Sequence, residues 1–185
     1  MAQIYLVRHT NVDVPKGTCY GVSDIQLAQS FSEEVIPILQ QLKGISFDKV
    51  YTSPLKRCTQ LAHVLSPAGY LIDKRLTELN FGNWEGLSWD SIYELPEGKA
   101  WMNNYLELPC PGGESYIDLY NRVTAFINEM DKSQTTLIIT HAGVIRVFLS
   151  VFNGIEGKSM FDRKIDFGEI IKIVVPLVIS NECSL

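Results

Sequence analysis

Apolar residues in this chain follow two alternating patterns. Short, mostly apolar runs at 4–7, 136–140 and 170–175 predict strands, and the β-branched and aliphatic run at 136–140 predicts burial on both faces, as in a parallel sheet. Two further segments, 47–52 and 70–72, predict strands as well. Between them, apolar positions recur at helical spacing. Phe31, Val35, Ile38, Leu39 and Leu42 predict a helix ended by Gly44, with Ser30 and Glu33 spaced as a capping box and Pro37 placed to kink it. Leu55, Cys58, Leu61, Ala62 and Leu65 predict a second helix, started by a Ser53 cap and Pro54. Tyr116, Leu119, Tyr120, Val123, Phe126, Ile127 and Met130 predict a third after the turn at 111–115, and 144–149 begins another. Residues 88–108 read as an irregular helical cap over a pocket, interrupted by Pro96 and Gly98. Its aromatics, Trp89, Tyr93, Trp101 and Tyr105, read as packing residues.

The polar residues that end these runs carry the candidate chemistry. Arg8 and His9 follow the first strand, Arg57 lies in the first turn of the helix after the second, and His141 follows the run at 136–140. The connections are long enough for the helical crossovers that parallel strands require. Parallel strands would bring all four side chains to one sheet edge, where open α/β sheets bind ligands. Arg57 opposes the dipole of its own helix, and a bound phosphate would supply the negative charge that this end prefers. Arginines bind phosphate oxygens in a two-pronged fashion, and a neutral imidazole can attack phosphorus to form a covalent intermediate. An acid must protonate the leaving oxygen. Glu78 and Glu85, in a loop rich in aromatics and glycine, are the two carboxylates available. The loop at 10–21, with Pro15, Gly17 and Gly21, is placed to shape a pocket. His63, in mid-helix, receives no role.

Composition narrows the classes. The 185 residues suit a single domain spanning 1–185, and 46% hydrophobic with 20% charged residues is globular rather than disordered. A net charge of −5 without a Lys/Arg stripe argues against a nucleic-acid partner. Nothing resembles a signal peptide or a membrane span. Cys19, Cys58, Cys110 and Cys183 form no C-x-x-C pair, and with only three histidines no metal site is expected. The expectation is a cytoplasmic protein with free thiols.

Five ordered segments resemble the histidine phosphatase superfamily, phosphoglycerate mutase-like branch. They are Leu6-Val7-Arg8-His9-Thr10, Thr52-Ser53-Pro54-Leu55-Lys56-Arg57-Cys58, Glu78 followed by Leu79-Asn80-Phe81-Gly82-Asn83-Trp84-Glu85-Gly86, Pro111-Gly112-Gly113-Glu114-Ser115, and Thr140-His141-Ala142-Gly143-Val144-Ile145-Arg146. The resemblance implies an α/β fold, a three-layer α/β/α sandwich with a mostly parallel central sheet. It implies His9 as a nucleophile that becomes phosphohistidine, Arg8, Arg57 and His141 as holders of the phosphoryl oxygens, and Glu78 as proton donor. Tyr20 and Gly21 fall where the family's first loop approaches substrate. One departure stands out. The family usually has Gly after the histidine and an acid next; here Thr10 and Asn11 take those places, where they would touch substrate.

The chain is short for a glycolytic mutase and looks most like the α-ribazole-5′-phosphate phosphatases of cobalamin nucleotide-loop assembly. The expected activity is metal-independent hydrolysis of a small phosphorylated metabolite without a cofactor, in a monomer or a homodimer. The alternatives are a phosphoglycerate mutase or a non-catalytic phospholigand-binding protein on the same fold.

Overall fold

Five strands form one sheet: β1 (Gln3–Arg8), β2 (Lys49–Thr52), β3 (Leu71–Ile72), β4 (Thr136–Thr140) and β5 (Ile170–Val174), in spatial order β3-β2-β4-β1-β5. The computed structural model describes residues 2–155, 159 and 162–175. β1, β2 and β3 run parallel to their neighbours around β4, while β5 is antiparallel to β1. Every residue of β4 is buried, as its β-branched and aliphatic sequence predicts. The apolar tail beyond Val175, with Cys183, lies outside the described residues.

Side-chain alternation along β1 and β4 divides the core into two layers. Ile4, Leu6 and Ile138 point to one side, where they meet α5 (Tyr116–Glu129) and α6 (Ala142–Asn153) through Leu119, Val123, Val147 and Phe148. Tyr5, Val7, Leu137 and Ile139 point to the other, against α1 (Phe31–Leu42) and α2 (Lys56–Leu65) through Val35, Ile38, Cys58 and Leu61. The result is the expected α/β/α sandwich. Among the described residues, no helix is long and apolar enough to cross a membrane.

Several local expectations are corrected. Ser30 does not form a capping box with Glu33: its own backbone is helical, and its hydroxyl donates to Glu34, which also accepts from the Asn11 amide. Leu39 is 41% exposed and leaves the buried stripe. α1 runs unbroken through Pro37, which sits on its exposed face, where the carbonyl that loses its partner can meet water. Ser53 does not cap α2. That helix starts later, at Lys56, and Asp24 from the first loop accepts from the Lys56 amide at 2.8 Å. Ser115 and Asp118 form a full capping box on α5, which the sequence reading did not identify. The segment after residue 88 resolves into α3 (Trp89–Glu94) and α4 (Pro96–Asn103), with Pro96 in the tolerated first turn of α4.

Candidate active site

The site is assembled where β1, β2 and β4 give out together. Beyond β1, the His9 amide donates to the Thr140 carbonyl at 3.0 Å. Beyond β2, the Ser53 amide donates to the Ile139 carbonyl at 3.0 Å. The sheet ladder therefore continues past the strands and fixes the backbone from which Arg8, His9 and His141 project. Arg57, in the first turn of α2, arrives from the side. The His9 and His141 rings pack edge to face with centroids 5.1 Å apart.

His9 is 2% exposed. Its Nδ1 lies 2.8 Å from the Thr10 carbonyl. A carbonyl only accepts, so Nδ1 carries the proton and Nε2 keeps its lone pair. His141 Nε2 lies 2.8 Å from the Ser53 hydroxyl and 3.5 Å from Cys58 Sγ. The Ser53 hydroxyl expected to cap a helix thus orients an imidazole instead. Burial pushes the Cys58 thiol up to about 12, so it stays protonated.

Two guanidinium groups face the imidazoles. Arg57 is fully buried, with its two terminal nitrogens donating to the carbonyls of Ser23 at 2.7 Å and Gly21 at 2.5 Å. Arg8 donates to the Ile165 carbonyl at 2.6 Å and stacks on Phe167, 3.8 Å from the ring centroid. Among the described residues neither has a carboxylate ion-pair partner. Both Nε atoms and the Thr10 hydroxyl are buried without a hydrogen-bond partner. Buried cations and donors without acceptors are costly, and a phosphate dianion at this point would satisfy them.

Glu78 reaches the same crevice from the loop after β3. Its carboxylate accepts from the Gly143 amide at 3.2 Å and from the Leu79 amide at 3.0 Å. Arg122 of α5 pins the loop behind it, donating to the carbonyls of Arg75, Thr77 and Glu78 at 2.7–2.9 Å and gripping Glu114 with two bonds of 2.9 Å. Neither Arg122 nor Gly143 was singled out as a site residue from sequence; the place of Gly143 two residues after His141 was the available signal. Glu85, the other candidate acid, is corrected to a structural role. It accepts from the amides of Val22, Ser23 and Phe81 and from the Ser23 hydroxyl. Burial alone would raise its carboxyl, but these bonds hold it below the usual range.

The first loop contributes in unequal ways. Thr10 is fully buried beside His9. Tyr20 lies under the Arg57 guanidinium, 5.4 Å from ring centroid to charge centre. Gly21 supplies the carbonyl that holds Arg57, and a Cβ there would come 1.8 Å from the Leu79 carbonyl oxygen, so only glycine fits. Asn11 is exposed; with Arg8, Tyr20 and Phe167 it lines a separate cavity of about 450 Å³ on the solvent side.

Both site histidines are held neutral. Burial, then the charge of Arg57, pushes His9 well below the usual 6.5, with the Thr10 bond opposing and Arg8 adding to the shift. His141 is lowered by the same two causes in the same order. Since the folded values lie below the unfolded ones, the unfolded chain takes up more protons as pH falls past 6.5. The stabilisation is complete above that pH and is lost as pH falls toward the folded values. The unfolding midpoint is expected to drop between about pH 7 and pH 5.5, before most carboxylates titrate. A flat or rising midpoint across that window, measured by calorimetry, would refute the neutral pair.

Comparison with known proteins now fixes the class. Residues 4–176 match the model of the histidine phosphatase superfamily, branch 1, and the chain belongs to that superfamily. It is thus a phosphoric monoester hydrolase by class. It is 28% identical over 165 residues to phosphoserine phosphatase 1 of Hydrogenobacter thermophilus, covering 84% of this chain and 78% of that one. It is also 28% identical over 178 residues to the adenosylcobalamin/alpha-ribazole phosphatase of Escherichia coli K12, covering 90% and 86%. The fold superposes on the alpha-ribazole phosphatase structure from Shigella flexneri with a TM-score of 0.86 at 24% identity, covering 95% and 91% of the two chains.

Proposed function

We propose that the protein hydrolyses a small phosphomonoester through a phosphohistidine on His9. The observation that carries this reading is the fully buried Arg57 and the half-buried Arg8, both without carboxylate partners among the described residues, around a neutral imidazole whose Nε2 is free. His9 Nε2 attacks phosphorus while the bond to the leaving oxygen breaks. Arg8, Arg57, His141 and the Thr10 hydroxyl hold the three equatorial oxygens, over which the transition-state charge spreads. Glu78 gives its proton to the leaving alkoxide. Its carboxylate then takes a proton from water, which attacks the phosphohistidine and releases phosphate and free His9. No step calls for a metal ion, so turnover is expected to survive EDTA; loss of activity that added divalent cation restores would sink this scheme.

As the particular substrate we put forward α-ribazole 5′-phosphate. The support is the likeness to the Escherichia coli relative and the motif pattern in the sequence. Relatives whose names point to phosphoserine are as similar, so a panel containing both esters is the direct test.

Gly143 offers a separate check on Glu78. A Cβ at this position would stand 2.2 Å from Glu78 Oε1 and 3.1 Å from Leu119 Cδ2. Gly143→Ala is expected to displace the carboxylate and lower kcat about 10- to 100-fold on alkyl phosphates. p-Nitrophenyl phosphate, whose leaving group departs without a proton, should lose far less. Equal losses on both substrates would remove Glu78 from the role of acid.

A further inference from the structure

Burying a cation is costly unless opposite charge or oriented dipoles face it. Arg57 is fully buried, and among the described residues no carboxylate pairs with it directly. Its terminal nitrogens donate instead to the carbonyls of Gly21 and Ser23. What lies on the far side of those peptides sets how strongly their oxygens hold the guanidinium.

Glu85 lies there. Its Oε1 accepts from the Val22 amide at 2.9 Å, and its Oε2 accepts from the Ser23 amide at 2.7 Å and from the Ser23 hydroxyl. The Val22 N–H and the Gly21 C=O belong to one peptide unit. That unit is planar and conjugated, and its two ends carry opposite partial charges. Its N–H end meets the carboxylate, and its oxygen meets Arg57 Nη2 at 2.5 Å. A negative charge on the N–H side polarises the unit and makes its oxygen a better acceptor, since hydrogen bonds in a chain reinforce one another at low dielectric. Glu85 and Arg57 thus form an ion pair with one peptide between them.

Gly21 permits this approach. It is not one of the glycines with a left-handed backbone, so its conformation does not call for glycine. Space does: a Cβ would stand 1.8 Å from the Leu79 carbonyl oxygen and 2.9 Å from Glu85 Oε1. The indirect contact also suits an anion site. A carboxylate bonded directly to Arg57 would compete with phosphate for its N–H groups. A guanidinium has five N–H donors; two go to the carbonyls, and Nε has no partner. With Glu85 one peptide away, the cation is balanced and fixed but keeps donors for a ligand.

We propose that Glu85 is a positioning residue for Arg57: acting through the Gly21–Val22 peptide, its carboxylate holds the guanidinium in the orientation that receives the phosphoryl group. The proposal rests on the phosphatase reading above and adds a residue to it.

A double-mutant cycle between Glu85→Gln and Arg57→Ala tests it, with kcat/KM measured on p-nitrophenyl phosphate. Glu85 also accepts from the Phe81 amide at 3.2 Å, in the loop that carries Glu78. The p-nitrophenolate leaves without a proton, so a displaced Glu78 does not enter the comparison. Glu85→Gln is expected to lower kcat/KM about 10- to 50-fold when Arg57 is present, and by less than about threefold in Arg57→Ala. Equal losses in the two backgrounds would mean that Glu85 only braces the first loop, and would overturn the proposal. If Glu85→Gln does not fold, Glu85→Asp, which keeps the charge but withdraws it by one methylene, carries the same cycle with a smaller loss that again vanishes in Arg57→Ala.

Nuclear magnetic resonance reads the contact without the chemistry. Held by two carbonyls, the Arg57 Nη protons should give resolved signals in the wild type, and these should broaden or merge in the Glu85 variant. Signals that stay unchanged in the variant, or that are unresolved in the wild type, overturn the proposal even in an active phosphatase. The expected change in a protein that hydrolyses no phosphoester keeps the link between Glu85 and Arg57 and removes the phosphatase reading instead.

Discussion

His9→Ala is expected to lower turnover of any phosphomonoester by on the order of 10⁴-fold or more. The reason is geometric as well as chemical. Nδ1 is committed to the Thr10 carbonyl, which leaves Nε2 as the attacking atom. The neighbouring imidazole cannot readily take over, because His141 is held by Ser53 and Cys58 at the side of the cage. The fold should survive, since the lost contacts are one hydrogen bond and part of a ring, worth about 1–3 kcal/mol. Circular dichroism and thermal melting check this. In the wild type, a brief reaction with labelled substrate followed by alkaline denaturation should trap acid-labile phosphate on the protein, and His9→Ala should trap none. Turnover by the variant within tenfold of wild type (about 1.4 kcal/mol of barrier) would end the phosphohistidine mechanism.

Arg57→Ala should be almost as damaging, and in two measurable ways. Arg57 is fully buried and joins the phosphate crevice to the first loop through the carbonyls of Gly21 and Ser23. Its loss removes a cation from the transferred phosphoryl group, with an expected fall in kcat/KM on the order of 10³-fold. It also leaves two carbonyls without donors and a void where the side chain lay, for a loss of about 2–4 kcal/mol of stability. Arg57→Lys should rescue little, because one ammonium cannot span both carbonyls and still reach a phosphate oxygen. Inorganic phosphate binding, followed by calorimetry, should weaken in both variants. Undiminished phosphate affinity in Arg57→Ala would place the anion elsewhere.

The elements that could be read along the chain are those whose burial follows from local pattern. β4 has an apolar centre, Leu137-Ile138-Ile139, between β-branched Thr136 and Thr140 because helices cover both of its faces, and α5 shows its stripe because one face meets the sheet. Arg8, His9, Arg57 and His141 could be gathered on paper because each follows a strand, and parallel strands end on one side. The errors arose where a polar side chain had a choice of partners. Ser53 reads as a cap, yet the cap of α2 comes from Asp24, 32 positions away in sequence. Ser30 reads as a cap, yet its hydroxyl serves Glu34. Glu85 and Glu78 are chemically alike and sit in the same loop. Only the folded chain gives Glu85 three amides and the Ser23 hydroxyl, and leaves Glu78, with two amides, beside a cavity.

By itself, then, the sequence determined the alternation of strands and helices, the strand ends that carry the reactive groups, and the superfamily to which the chain belongs. These depend on periodicity and on the identity of residues close together along the chain. Tertiary structure decided which nitrogen of His9 is free, which carbonyls hold Arg57, how Arg122 and Gly143 set Glu78, and that the aromatics of α3 and α4 wall the cavity beside Glu78. Those depend on contacts between residues far apart in sequence. The Arg8-His9 pair at the end of β1 acquires its environment only when β4, α2 and the loop bearing Glu78 close around it.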